Sequence, residues 1–156
     1  MPLLRRTASF ITALTCAAGP LSGLAVAADE QPQQPQQYYA EDIKSTRRKH
    51  IGETADTRGA FHSRVDKTGE LLALRFVKIH DPVRQIGSDI YFACTDFQVL
   101  GETGKLYDLD FWMNNKTGEL RVFQSKVHKE PRYSIIYGWY KQPRYTFVND
   151  KIEYLY

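Results

Sequence analysis

The sequence predicts an α+β fold: an N-terminal helix packed on a curved antiparallel β-sheet of five to seven strands. Three observations carry that expectation. Three turns share a T-G-[EK]-L pattern, at Thr68-Gly69-Glu70-Leu71, Thr103-Gly104-Lys105-Leu106 and Thr117-Gly118-Glu119-Leu120. The segments around them are rich in aromatic and β-branched residues, as half-buried strands are. One segment, Tyr38 to Glu53, instead carries acids early and bases late, which suits a helix.

Residues 1–28 read as a cleaved secretory signal peptide. Arg5 and Arg6 form a positive start, an uncharged run of apolar and small residues spans Thr7 to Val26, and Ala25-Val26-Ala27 is a small-residue cleavage site. Residues 29–37, DEQPQQPQQ, form a Pro/Gln-rich flexible tether with too little apolar content to join a core. Residues 38–156 are one domain's worth of chain. They hold all ten tyrosines and both tryptophans, ample material for a single core.

In the helix, Glu41 and Asp42 precede Arg47, Arg48, Lys49 and His50, and Gly52 marks its end. The basic run reads as a solvated helix end. A hairpin follows, Ala60–Asp66 with Glu70–His80, closed by the Asn/Asp-first, Gly-fourth turn Asp66-Lys67-Thr68-Gly69. Asp81-Pro82 stops its second strand, and Val83 to Ser88 reads as the longest loop of the sheet region.

The stretch from Asp89 to His128 is the centre of the chain and reads as three antiparallel strands. If each turn makes a one-residue bulge, Gly101 faces Lys105 and Asn115 faces Glu119. Alternation then sorts the side chains. One face holds Tyr91, Ala93, Thr95, Phe97, Tyr107, Leu109, Phe111, Met113, Phe123 and Val127, and is a core. The other mixes Phe92, Cys94, Trp112, Val122 and His128 with Asp96, Asp108 and Asp110. In this register Asp96 sits opposite Asp110, Asp108 is diagonal to it, and Lys126 faces Asp108. Glu130-Pro131 ends this strand and Tyr133–Tyr140 forms the next. The aromatic tail, Tyr145–Val148 and Ile152–Tyr156, extends the sheet or wraps it.

Composition narrows the function. The net charge of +3 falls to about +1 once Arg5 and Arg6 leave, too little for binding driven by phosphate neutralisation, so no nucleic-acid partner is expected. Cys16 leaves with the signal, so Cys94 has no partner for an internal disulfide; it reads as a small buried hydrophobe or as a reactive thiol. His50, His62, His80 and His128 show no zinc spacing, and no calcium-loop motif surrounds the aspartates. No metal and no cofactor is therefore assigned from sequence.

What remains is the mixed face. Carboxylates about 5 Å apart across strands repel unless a cation or proton lies between them. Asp96, Asp110, His80 and His128 are the candidates for acid–base chemistry. Phe92, Cys94, Asp96, Asp108, Asp110 and Trp112, with Tyr137 and Trp139 from the aromatic tail, are the candidates for ligand contact. The expected function is an exported small binding or accessory domain, periplasmic or secreted, that holds a small molecule or protein partner on this face. The alternative is a small extracytoplasmic hydrolase or isomerase using an Asp/His pair there. No stable membrane insertion is expected after signal cleavage. A lone helix against a curved antiparallel sheet is similar in layout to the cystatin-like and NTF2-like architectures, and layout does not imply function.

Overall fold

The structure, a computed structural model, describes residues 36–156. The expected signal peptide, 1–28, and the first part of the expected tether, 29–35, lie outside the described residues. One helix, α1 (Ala40–Thr54), precedes nine strands: β1 (Phe61–Arg64), β2 (Leu71–Ile79), β3 (Arg84–Ile86), β4 (Ile90–Val99), β5 (Leu106–Asn114), β6 (Arg121–Ser134), β7 (Gly138–Pro143), β8 (Tyr145–Val148) and β9 (Lys151–Tyr154). Seven strands form a strongly curled antiparallel sheet in the order β1-β2-β4-β5-β6-β7, and β3 pairs with the start of β4 beyond the end of β2. The last two strands form a separate hairpin. The expected helix-on-sheet fold is therefore present.

The helix starts where the Tyr39 N–H donates to Asp42 Oδ2 at 2.9 Å. It does not end at Gly52 but runs on to Thr54. Its buried face is Ile43, Arg47 and Ile51, an i, i+4, i+8 stripe. Ile43 packs with Tyr91, Ala93, Met113 and Leu120; Ile51 packs with Phe61, Leu74, Phe97, Leu109, Phe111 and Val127. Each isoleucine buried this way stabilises the docked helix by about 1.5–3 kcal/mol.

Arg47 corrects the expectation of a solvated basic end, because its side chain is 0% exposed. It occupies the middle position of the apolar stripe, so helical geometry drives it into the seam between helix and sheet. Its Nη1 donates to the Ala93 carbonyl, and its guanidinium lies 5.6 Å from the centre of the Phe111 ring. Burial lowers its pKa to about 10. Nε and Nη2 find no acceptor among the described residues.

Four further differences come from turns and bulges. The β4–β5 turn is larger than a one-bulge hairpin: the Val99 N–H bonds to the Lys105 carbonyl at 3.1 Å, and both Gly101 and Gly104 take positive φ. The register therefore moves by two residues, placing Asp96 opposite Asp108 and Cys94 opposite Asp110. Bulges between Asp108 and Leu109 and between Trp112 and Met113 then set Lys129 opposite Asp108 and Lys126 opposite Asp110. The second bulge also turns Val122 toward the core and leaves Phe123 51% exposed.

Val83–Ser88 contains the short strand β3 rather than a loop alone. Finally, β6 runs through Pro131 to Ser134, and Ile135, Ile136 and Tyr137 form a turn, not a strand interior. Pro131 is tolerated because β5 pairs with β6 only as far as Lys129, so one side of the strand is open at the proline.

Arg47 generates a test. Arg47→Ala removes the stem that fills the seam and should cost about 2–5 kcal/mol in urea unfolding. Arg47→Met keeps the stem and removes a buried charge with unused donors, so it should unfold at or above the wild-type midpoint. A large loss in both variants would mean that the charge itself holds the fold.

Candidate metal centre

The strands β4 and β5 turn their second face away from the helix, and the β8–β9 hairpin covers it. Phe147 meets Phe92 edge-on at 5.2 Å between ring centroids, and Tyr145 stacks on His128 at 4.7 Å. Phe92, Trp112 and Tyr145 form a second small core, with Ile86, Ile90, Cys94, Phe147 and Ile152 packed on it. Backbone bonds fix the hairpin: the Arg144 N–H donates to the His128 carbonyl at 2.8 Å, and the Leu155 N–H to the Arg144 carbonyl at 2.9 Å. The aromatic tail thus wraps the mixed face instead of extending the sheet.

Phe92 and Trp112 are only 6% and 8% exposed beneath this roof. Beside them lie the three carboxylates. Asp108 and Asp110 are fully buried and Asp96 nearly so. They stand on alternate positions of adjacent strands, so period-two geometry puts all three on one face, with Cys94 on the same face opposite Asp110.

Each carboxylate has cationic or donor neighbours. His80 Nε2 lies 3.0 Å from Asp96 Oδ2, and its Nδ1 is 3.9 Å from Asp108 Oδ2. The Lys141 ammonium also pairs with Asp96. Burial pushes Asp96 up, but Lys141 and His80 together hold it below the usual carboxylate range. Lys129 Nζ sits 3.1 Å from Asp108 Oδ2. Burial pulls this lysine down, and the charge of Asp108 more than restores it. The Tyr145 hydroxyl donates to Asp110 Oδ2 at 2.7 Å. Lys126, expected to neutralise Asp108, instead reaches Asp66 at 2.7 Å.

These neighbours leave part of the cluster without hydrogen bonds. Asp108 Oδ1 and Oδ2, Asp110 Oδ1 and His128 Nδ1 are buried and have no hydrogen-bond partner among the described residues. Lys129 is close to Asp108 but not aligned as a donor, and His128 Nδ1 lies 3.3 Å from Asp110 Oδ2 without alignment. One donor atom from each of Cys94, Asp108, Asp110 and His128 falls within 4.8 Å of all the others. A second group, His80, Asp96 and Asp108, meets the same limit and shares Asp108. Burial, followed by Asp110, raises the Cys94 thiol far above the ordinary cysteine range. A thiol held protonated in this way is a poor nucleophile.

Of the residues singled out in the sequence, the structure brings together His80, Cys94, Asp96, Asp108, Asp110 and His128. The two histidines flank the carboxylates from opposite sides of the β4–β5 pair. Phe92 and Trp112 belong to the adjoining small core. Tyr137 and Trp139 are elsewhere: Tyr137 is at the tip of the β6–β7 hairpin, and Trp139 packs on Tyr133 and Lys105. Sequence reasoning missed Lys129 and Lys141 and left Tyr145 outside the site. The first two depend on a bulge and on the β6–β7 register, which no local motif reveals. Tyr145 carried only the signal of sitting in an aromatic-rich tail.

No family model, no curated protein and no solved structure matches the chain. Tyr145→Phe isolates one hydrogen bond of the cluster. It removes the hydroxyl that donates to Asp110 while keeping the ring stack on His128, and should lower stability by about 1–3 kcal/mol in chemical denaturation. An unchanged midpoint would show that Asp110 does not need this donor.

Proposed function

We propose that the protein is an exported binding domain, periplasmic or secreted, whose ligand is a divalent metal ion of the zinc class. Cys94, Asp108, Asp110 and His128 are its ligands. The observation that carries this reading is a set of buried atoms with no aligned hydrogen-bond partner among the described residues: both oxygens of Asp108, Oδ1 of Asp110 and Nδ1 of His128, which lie together with the Cys94 sulfur. Buried polar atoms in that state are costly, and a cation is the group that satisfies lone pairs from all sides.

The donor chemistry favours one class of metal. A sulfur, a nitrogen and two carboxylate oxygens suit a four-coordinate, borderline-soft ion. Calcium takes six to eight oxygen ligands, and magnesium keeps several waters, so both suit this set poorly. Tyr145, bonded to Asp110, and Lys129, beside Asp108, orient the ligands from outside.

A second reading keeps a specific observation of its own. The His80–Asp96 contact at 3.0 Å is an acid–base pair at the partly exposed end of the cluster. It supports hydrolase or isomerase chemistry at the same place. Asp96→Asn separates the two: it removes that pair and leaves all four proposed metal ligands intact.

Zinc titration of the protein should reach one equivalent per chain, and zinc at about a hundred times its dissociation constant should stabilise the fold by about 2.7 kcal/mol. Cys94→Ala and Asp110→Asn should abolish the thermal shift, and Tyr145→Phe should weaken binding about 10–100-fold. Zinc binding undiminished in Cys94→Ala and Asp110→Asn, or no binding at all, would contradict the assignment.

A further inference from the structure

The most exposed apolar group in the described chain lies away from the metal cluster, on the hairpin joining β6 and β7. Ile135, Ile136 and Tyr137 are 95%, 80% and 79% exposed. The turn that holds them out is built: Ser134 Oγ accepts from the N–H groups of Ile136 at 3.2 Å and Tyr137 at 3.4 Å, and Gly138 closes it at φ 68°. Turn tips normally carry Gly, Asn, Asp, Pro or Ser. Two consecutive isoleucines at such a tip oppose that preference and need a partner to explain them.

The hairpin is ordered by chemistry along its length. Ser134 pairs with Gly138, then Tyr133 with Trp139, then Arg132 with Tyr140, then Pro131 with Lys141. Aliphatic side chains thus lead, an aromatic pair follows, and cations come last. Trp139 is braced at its level by Tyr133, by the Lys105 ammonium 5.2 Å from its ring, and by Gly104, where a Cβ would stand 3.0 Å from the indole.

No Asp or Glu occurs between Glu130 and Asp150. The carboxylates at the hairpin base are already neutralised: Glu130 by Arg132, Asp96 by Lys141 and Glu102 by Lys105.

We propose that this hairpin tip docks the protein peripherally on a lipid surface, with Ile135 and Ile136 entering the acyl boundary. The layers match those of a membrane interface. Aliphatic groups suit the acyl region and Tyr and Trp suit the headgroup level. Arg132, Lys141 and Lys105 are held in ion pairs, so they leave the hairpin base without net negative charge against the phosphates. The aromatic pair lies two residues behind the tip, about 7 Å at strand rise. Interfacial segments bury their apolar face by about 5–10 Å. A convex tip of three residues needs no complementary pocket in a lipid surface, whereas a protein anchor needs one. Among the described residues no helix is long and apolar enough to cross a membrane.

The test uses the full chain with vesicles of phosphatidylcholine and phosphatidylglycerol, with and without brominated acyl chains. The sequence has two tryptophans, and Trp139→Phe identifies the part of the quenching that belongs to the hairpin. The expected result is quenching that Trp139→Phe removes, and vesicle partitioning that falls at least about tenfold in Ile135→Ser/Ile136→Ser. The leucine pair, Ile135→Leu/Ile136→Leu, should partition like wild type. Both sites are exposed, so thermal unfolding of each pair should match wild type.

Residues 1–28 are present in every variant, so binding through them leaves the serine pair unchanged and overturns the proposal. So does the absence of Trp139 quenching. A self-association that the serine pair disrupts, without vesicle binding, also overturns it and assigns the tip to a second copy of the chain.

Discussion

Three carboxylates buried on one face of two neighbouring strands are the constraint that the rest of this structure must satisfy. Asp96 and Asp108 are directly opposite each other, and Asp110 is one position along the same face. Like charges in that geometry repel, and burial strengthens the repulsion because little water screens it. The protein surrounds them with lysines, a histidine and a hydroxyl donor. Lys141 and His80 meet Asp96, Lys129 meets Asp108, and Tyr145 donates to Asp110. Arg47 acts from the other side of the sheet: burial dominates its environment, but Asp110 and Asp108 each favour its charge. Even so, oxygens of Asp108 and Asp110 remain without donors, and the proposed cation is the group that completes the balance.

Both faces of the sheet are therefore covered, each for a different reason. The helix covers the apolar face by ordinary burial of Ile43 and Ile51, with Arg47 occupying the slot between them. The β8–β9 hairpin covers the charged face by aromatic packing, and its first residue supplies the hydroxyl to Asp110. The roof and the cluster depend on each other. Tyr145 needs Asp110 as acceptor, and the cluster needs the hairpin to exclude water. This coupling explains why an aromatic-rich tail follows strands that carry so many acids. The exposed isoleucines at the β6–β7 tip stand outside the coupling, which is why they require a separate explanation.

Much of the fold was legible because turn chemistry is local. The three glycine-bearing turns located three hairpins, and charge asymmetry located the helix. Side-chain faces on β4 and β5 were also legible despite the wrong register. The Gly101–Gly104 turn moved the pairing by two residues, an even number, so every side chain kept its face while its partner changed. Along β6 the bulge at Trp112/Met113 is an odd slip, and it exchanged Phe123 for Val122. Bulges carry no reliable local signal, so Lys126 was matched to Asp108 where Lys129 belongs.

The candidate site was legible in part for the same reason. Cys94, Asp96, Asp108 and Asp110 share a face by alternation alone. Their use as metal ligands was not legible, because the donors at 94, 108, 110 and 128 come from three strands and form no spacing motif. Arg47 is not legible as a core residue because its charge points to solvent while its place in the 43–47–51 stripe points to the sheet.

The measurement that tests the central claim most directly is X-ray absorption at the zinc edge on the zinc-loaded protein. The account predicts one sulfur at about 2.3 Å and three nitrogen or oxygen ligands at about 2.0–2.2 Å. A shell of nitrogen and oxygen alone would place any bound zinc somewhere other than Cys94 and its neighbours, and would contradict the account.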